Sequence, residues 1–107
     1  MSNSKHMLRE KYKQHFRHIN TTAQLRATLR AGPYAWPGGY PLYFVADDGG
    51  ALCFDCVRAE YRSVSHSIRN KENDGWRVVA CCVNWEDNYM DCAHCGERIE
   101  PAYLSDR

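Results

Sequence analysis

The sequence predicts a small α+β domain closed by a metal staple, and three observations carry that reading. The chain has only 107 residues, too few for two full domains and few enough that its apolar core is thin. Its six cysteines include two Cys-x₂-Cys pairs, Cys53/Cys56 and Cys92/Cys95. Helical stripes and β-branched runs alternate along the chain.

Taken in order, Leu8, Tyr12, Phe16 and Ile19 recur at i, i+4, i+8 and i+11, beside a basic stripe of Lys5, Arg9, Lys13 and Arg17. This predicts an amphipathic basic helix over Lys5–Ile19. Thr21-x-x-Gln24 has the form of a capping box, Leu25 and Leu29 give an apolar face, and Gly32-Pro33 is a stop, so a second helix is expected near Thr22–Ala31. Residues 33–41 hold three prolines and two glycines in nine positions, which predicts an aromatic-rich loop and no regular element. Leu42–Ala46, the turn Asp47–Gly50 and Ala51–Cys53 predict a β-hairpin that delivers Cys53. Val57, Tyr61, Val64 and Ile68 form the cleanest helical stripe, with Asp55 placed to cap its start. Trp76–Val83 reads as a buried strand, Asn84–Asn88 as a polar turn, and Tyr89–Asp91 as a short strand leading to Cys92.

The division expected from this pass is a basic helical arm, residues 1–32, and a metal-binding α+β domain, residues 33–107. Charge follows the same line. Residues 1–31 hold seven Lys/Arg and one acid, whereas residues 32–107 hold seven Lys/Arg and twelve acids, a split of +6 against −5. A basic arm on an acidic body fits nucleic-acid binding, and equally docking on the body or on a partner protein. The sequence holds no apolar run near the ~18 residues of a membrane span and no signal-peptide core, so a cytoplasmic setting without membrane contact is expected. In such a compartment cysteines bind metal or stay reduced more often than they pair.

Thirty-five residues separate Cys53-x₂-Cys56 from Cys92-x₂-Cys95. A two-residue spacer lets the chain curl so that both sulfurs face one point, and two such knuckles supply the four soft ligands that tetrahedral Zn²⁺ prefers. Gly96 stands where a knuckle needs positive φ. Four thiolates leave no coordination position open, so the expectation is one structural zinc and no catalytic one. With it, the charge of residues 32–107 falls to about −7. A hairpin knuckle followed by a helix and a second knuckle resembles treble-clef and zinc-ribbon arrangements. Buried thiols, disulfides, a rubredoxin-like iron site and a redox Cys-x₂-Cys are the alternatives. Cys81 and Cys82 are adjacent on a predicted strand and point to opposite faces, which suits core filling.

Catalytic patterns are missing. None of the five histidines is followed two residues later by Glu, as zinc deaminases require, and the chain has no HExxH, Walker, GxSxG or GxGxxG motif. Asp47-Asp48 and Glu86-Asp87 sit in turns, where paired carboxylates serve as solvated charge. No enzyme is expected.

The segments Trp36-Pro-Gly-Gly-Tyr-Pro-Leu-Tyr43, Asp47-Asp-Gly-Gly-Ala-Leu-Cys53-x₂-Cys56, Asn84-Trp-Glu-Asp87 and Cys92-x₂-Cys-Gly96-x₂-Ile99-x₂-Ala-Tyr103 resemble a group of small phage and prophage proteins with paired zinc knuckles. The resemblance spans residues 33–103, covers the four knuckle cysteines and leaves out the basic arm. It implies zinc and a phage-type setting in a bacterial host, and no activity.

Three functions compete. A zinc-stapled interaction module, an adaptor or inhibitor of a host or phage protein, would use Tyr34, Trp36, Tyr40 and Trp85, because Trp and Tyr dominate binding hot spots. Nucleic-acid binding would use Lys5, Arg9, Lys13 and Arg17, and would weaken steeply with salt. A redox protein or enzyme is the third. A homodimer is compatible with the first two.

Overall fold

The computed structural model describes residues 13–35, 38–85, 87 and 89–102. At its centre runs β2 (Tyr40–Ala46), the one strand that pairs with all the others, and every pairing is antiparallel. On one side lies β4 (Val78–Val83), in register from Leu42↔Val83 to Val45↔Ala80, with a shift before Ala46↔Val78. On the other side lie two short strands, β1 (Tyr34–Ala35) against Pro41 and Tyr40, and β3 (Ala51–Leu52) against Val45 and Phe44. The expected hairpin is β2–β3. Its turn closes with the Asp48 carboxylate accepting from the Gly50 amide at 2.8 Å, and Gly49 takes the positive φ of 85° that the turn requires.

Three helices cover the sheet face that carries Phe44. The first, α1 (Thr22–Ala31), has its expected capping box: Thr21 Oγ accepts from the Gln24 amide, and Gln24 Oε1 accepts from the Thr21 amide. The second and third, α2 (Phe54–Ala59) and α3 (Tyr61–Asn70), occupy the stretch where one continuous helix is expected. Glu60, at φ −103° and ψ 30°, breaks the ladder, yet Val57, Val64 and Ile68 still fall on one buried stripe. Asp55 sits inside the first turn of α2, where it meets the helix dipole, and Cys53 is the capping residue. Arg58 joins the layers: its guanidinium lies 5.9 Å from the Phe54 ring and donates to the Leu29 carbonyl at the end of α1. The core contains Ile19, Leu25, Leu29, Phe44, Phe54, Val57, Val64, Ile68 and Val78, so α1 and the sheet share one buried cluster. At its heart the Phe44 and Phe54 rings approach to 4.4 Å.

Two expectations are corrected. The basic helix over Lys5–Ile19 is not formed across residues 13–19, where the chain is irregular apart from a bridge at His18. His18 bridges to Ala80, the Ile19 amide donates to the Val79 carbonyl, and the Cys81 amide donates to the Arg17 carbonyl. The exposed edge of β4 offers backbone partners that a marginal isolated helix cannot match, and Ile19 is buried by that pairing. Residues Lys5 and Arg9 lie outside the described residues. The second correction concerns the proline-rich stretch, where Tyr34–Ala35 and Tyr40–Pro41 do pair. Pro41 is tolerated because its nitrogen points to the β4 side, beyond the last β4 partner of β2, Val83.

The C-terminal stretch is tied down by Asn84, a buried side chain. Its amide group donates to the carbonyls of Asp87 and Ile99 at 2.9 and 3.1 Å and accepts from the Asp87 amide at 3.0 Å, while its carbonyl accepts from the Ala102 amide. Asn84→Ala leaves buried backbone groups unpaired, and the expected loss is about 2–3 kcal/mol of unfolding free energy, measured by urea denaturation. A change within about 0.5 kcal/mol would show that water replaces the clamp.

Candidate metal centre

The site is assembled from two chain reversals. The β2–β3 hairpin ends at Leu52, so Cys53 emerges at the sheet edge and Cys56 follows one turn into α2. The second reversal is a small loop closed by an Asp91↔Arg98 bridge, by Cys92 N–H donating to the Glu97 carbonyl, and by Gly96 N–H donating to the Cys92 carbonyl. Gly96 has the expected positive φ, 76°. The Ala93 amide donates to the Ala51 carbonyl at 2.8 Å and stitches this loop to β3, which brings the two knuckles face to face.

All four sulfurs lie within 4.8 Å of one another. Cys53 Sγ is 3.9 Å from Cys95 Sγ, and Cys56 Sγ is 3.7 Å from Cys92 Sγ; none of these thiols is in a disulfide. A tetrahedron with metal–sulfur bonds near 2.3 Å has edges of about 3.8 Å, so the sulfurs already stand at ligand spacing. The cluster can hold a metal ion. Cys56 and Cys92 are buried, Cys53 is half-buried and Cys95 exposed, so the outer edge of the site is open to solvent.

Burial raises the Cys56 and Cys53 thiols above their ordinary range. Cys92 goes the other way. Burial opposes its ionisation, but backbone donors from Cys95, Cys53 and His94 outweigh it and hold the group down to about 6. One of these donors is the Cys53 amide, 3.4 Å from Cys92 Sγ. The backbone donors thus favour the thiolate at Cys92, whereas burial opposes ionisation of Cys53 and Cys56. His94, between the second pair of cysteines, does not join the ligand set; it approaches Glu60 at 3.8 Å and meets the Trp76 ring edge-on at 5.0 Å.

The other sequence-nominated residues are dispersed. Tyr40 and Trp85 come together, with ring centroids 5.0 Å apart. Tyr34 is exposed and pairs with Pro41, so it lies on the opposite face of the small hairpin from Tyr40. Trp36 lies outside the described residues. Lys13 and Arg17 are on the irregular segment that precedes α1 and do not share a helical face. Sequence reading passed over Tyr89, which is 90% exposed, because nothing in its local pattern marks it. Cys81 is buried in the core, as expected, with burial pushing its thiol up to about 12; Cys82 is half-buried. Among the described residues no helix is long and apolar enough to cross a membrane.

Comparison with protein-family models, curated proteins and solved structures returns no match. The site is accordingly read from its own geometry.

In the metal-free protein, Cys92 is the first thiol to ionise. Its folded value lies below the ordinary 9.0, so the stability it contributes is present above that value and is lost as pH falls through about 6. Recorded immediately after metal removal, before the chain unfolds, ultraviolet thiolate absorbance should show one group titrating near 6, absent in Cys92→Ser. A first titration above 8 while the near-ultraviolet circular dichroism is still native would contradict the arrangement of donors around Cys92.

Proposed function

We propose that this protein is a zinc-stabilised protein-interaction module, in which one structural Zn²⁺ on Cys53, Cys56, Cys92 and Cys95 holds the surface that a partner reads. A tetrahedral spacing, four sulfur donors and a closed coordination shell favour zinc in a structural role. Metal binding of this type supplies about 10–16 kcal/mol, comparable to or larger than the ~5–15 kcal/mol by which small domains are stable. The chain's own residues then need only hold the thiolates. For Cys92 the backbone amides of Cys53, His94 and Cys95 do so, within the Gly96 turn.

The observation that carries the interaction reading is Trp85, 49% exposed at the end of β4 and braced against Tyr40. A large aromatic held rigid at the surface loses little entropy on binding, which suits an anchor. Beside it a cleft of about 320 Å³ is lined by Phe16, Leu42, Cys82 and Val83 together with His15 and Arg17, a mixed surface for a partner side chain. The sequence resemblance extends the proposal to a phage-type adaptor or inhibitor acting on a host or phage protein.

Two outcomes test the reading. Chelation should release one zinc per chain and unfold the domain cooperatively, seen by loss of near-ultraviolet circular dichroism; a fold indifferent to chelator would overturn the staple. A photo-crosslinking residue at position 17, exposed in the same cleft, should capture a defined protein partner in host cells, and Trp85→Ala should weaken that complex at least tenfold with metal content unchanged. Retained affinity in Trp85→Ala would overturn the aromatic surface.

A further inference from the structure

The outer face of α3 carries a second site that the interaction reading does not use. A cleft of about 600 Å³ opens there, lined by Arg62, Ser63, His66, Arg69, Asp74 and Trp76 among others. Its size is that of a small-ligand pocket. Arg62, His66 and Arg69 follow one another at i, i+4 and i+7, so the two arginines share one helix face about 10.5 Å apart along the axis, with His66 between them.

The two arginines are the telling residues. Among the described residues neither has a carboxylate within ion-pair distance, although the protein around them is acidic. The nearby acids are engaged elsewhere. Asp74 accepts from the Ser67 hydroxyl at 2.7 Å and from the Trp76 amide at 2.9 Å, and Glu72 approaches His66 at 3.6 Å. The guanidinium groups are thus left to an external anion, and a planar fork of donors matches phosphate oxygens.

Trp76 supplies the other half of the site. It is half-buried, packs on the core and meets His94 edge-on, so its indole is fixed in place at the cleft. A rigid indole beside two unpaired arginines is the combination with which single strands are held, base on ring and backbone on cations. An acidic peptide would satisfy the arginines but leave the indole without a planar partner.

We infer that the α3 face binds single-stranded nucleic acid, with an unpaired base stacked on Trp76 and flanking phosphates on Arg62 and Arg69. This site is separate from Lys13 and Arg17 and does not depend on Trp85.

The test uses the full-length, metal-loaded protein and the fluorescence anisotropy of a labelled oligothymidylate, with labelled polyglutamate as an anion that lacks bases. Affinity for the oligonucleotide should fall with salt between about 50 and 200 mM, and two phosphate contacts contribute about −1.4 to the log–log slope. The exposed double substitution Arg62→Ala/Arg69→Ala should remove that contribution and weaken binding at least tenfold, while metal content stays the same. Trp76→Phe should retain part of the affinity and Trp76→Ala should lose about tenfold. Lys13→Ala/Arg17→Ala should bind like the parent. Absence of oligonucleotide binding, polyglutamate binding of equal strength, or loss confined to the Lys13/Arg17 variant would each overturn the inference.

Discussion

Four sulfur atoms converge on one point from chain positions thirty-six to forty-two residues apart, and the rest of the fold is arranged to let them do so. The β2–β3 hairpin brings Cys53 to the sheet edge, α2 carries Cys56 back over it, and the Asn84 clamp positions the final loop that presents Cys92 and Cys95. Each of these elements is short. A two-residue strand, a six-residue helix and a loop closed by one bridge have little stability of their own, so the contact between them has to be strong. Metal ligation has that strength, and without it four thiols crowded within a few ångströms would be a weakness at the surface.

Where local chemistry decides the structure, the sequence was legible. The capping box at Thr21 and Gln24, the Asp47–Gly50 turn, the positive φ at Gly96 and the Val57/Val64/Ile68 stripe each depend on residues a few positions apart, and each stands where expected. The cysteine spacing likewise foretold which four sulfurs meet. What could not be read was decided by distant partners. Phe16 and Ile19 fit a helical period, but the edge of β4 claims that segment through an isolated bridge at His18 and two backbone hydrogen bonds. Tyr34–Ala35 lacks any strand signal and pairs only because Tyr40–Pro41 returns beside it. Glu60 has no helix-breaking character, yet the α2–α3 break falls on it. Asn84 resembled a turn residue and is in fact a buried polar hub, because the carbonyl of Ile99, fifteen residues on, comes to it.

In the proposed zinc-bound form four sulfurs would fill the coordination shell, so the function proposed lies at surfaces whose shape that staple would fix. The two surfaces proposed differ in kind. Near Trp85 apolar side chains lie beside His15 and Arg17 and suit a protein side chain, whereas the α3 face pairs an anchored indole with arginines that the fold leaves uncompensated. They draw on different residues of the sheet and helix layers, and either can fail without the other. The α3 surface is tied to the cysteine cluster, since Trp76 meets His94 between Cys92 and Cys95.

The most direct measurement of the central claim is X-ray absorption at the metal edge of the protein purified under reducing conditions. The account predicts one zinc per chain with four sulfur scatterers at about 2.3 Å and no nitrogen or oxygen ligand. A mixed shell containing histidine nitrogen or water, or a chain that carries no stoichiometric metal while remaining folded, would contradict it.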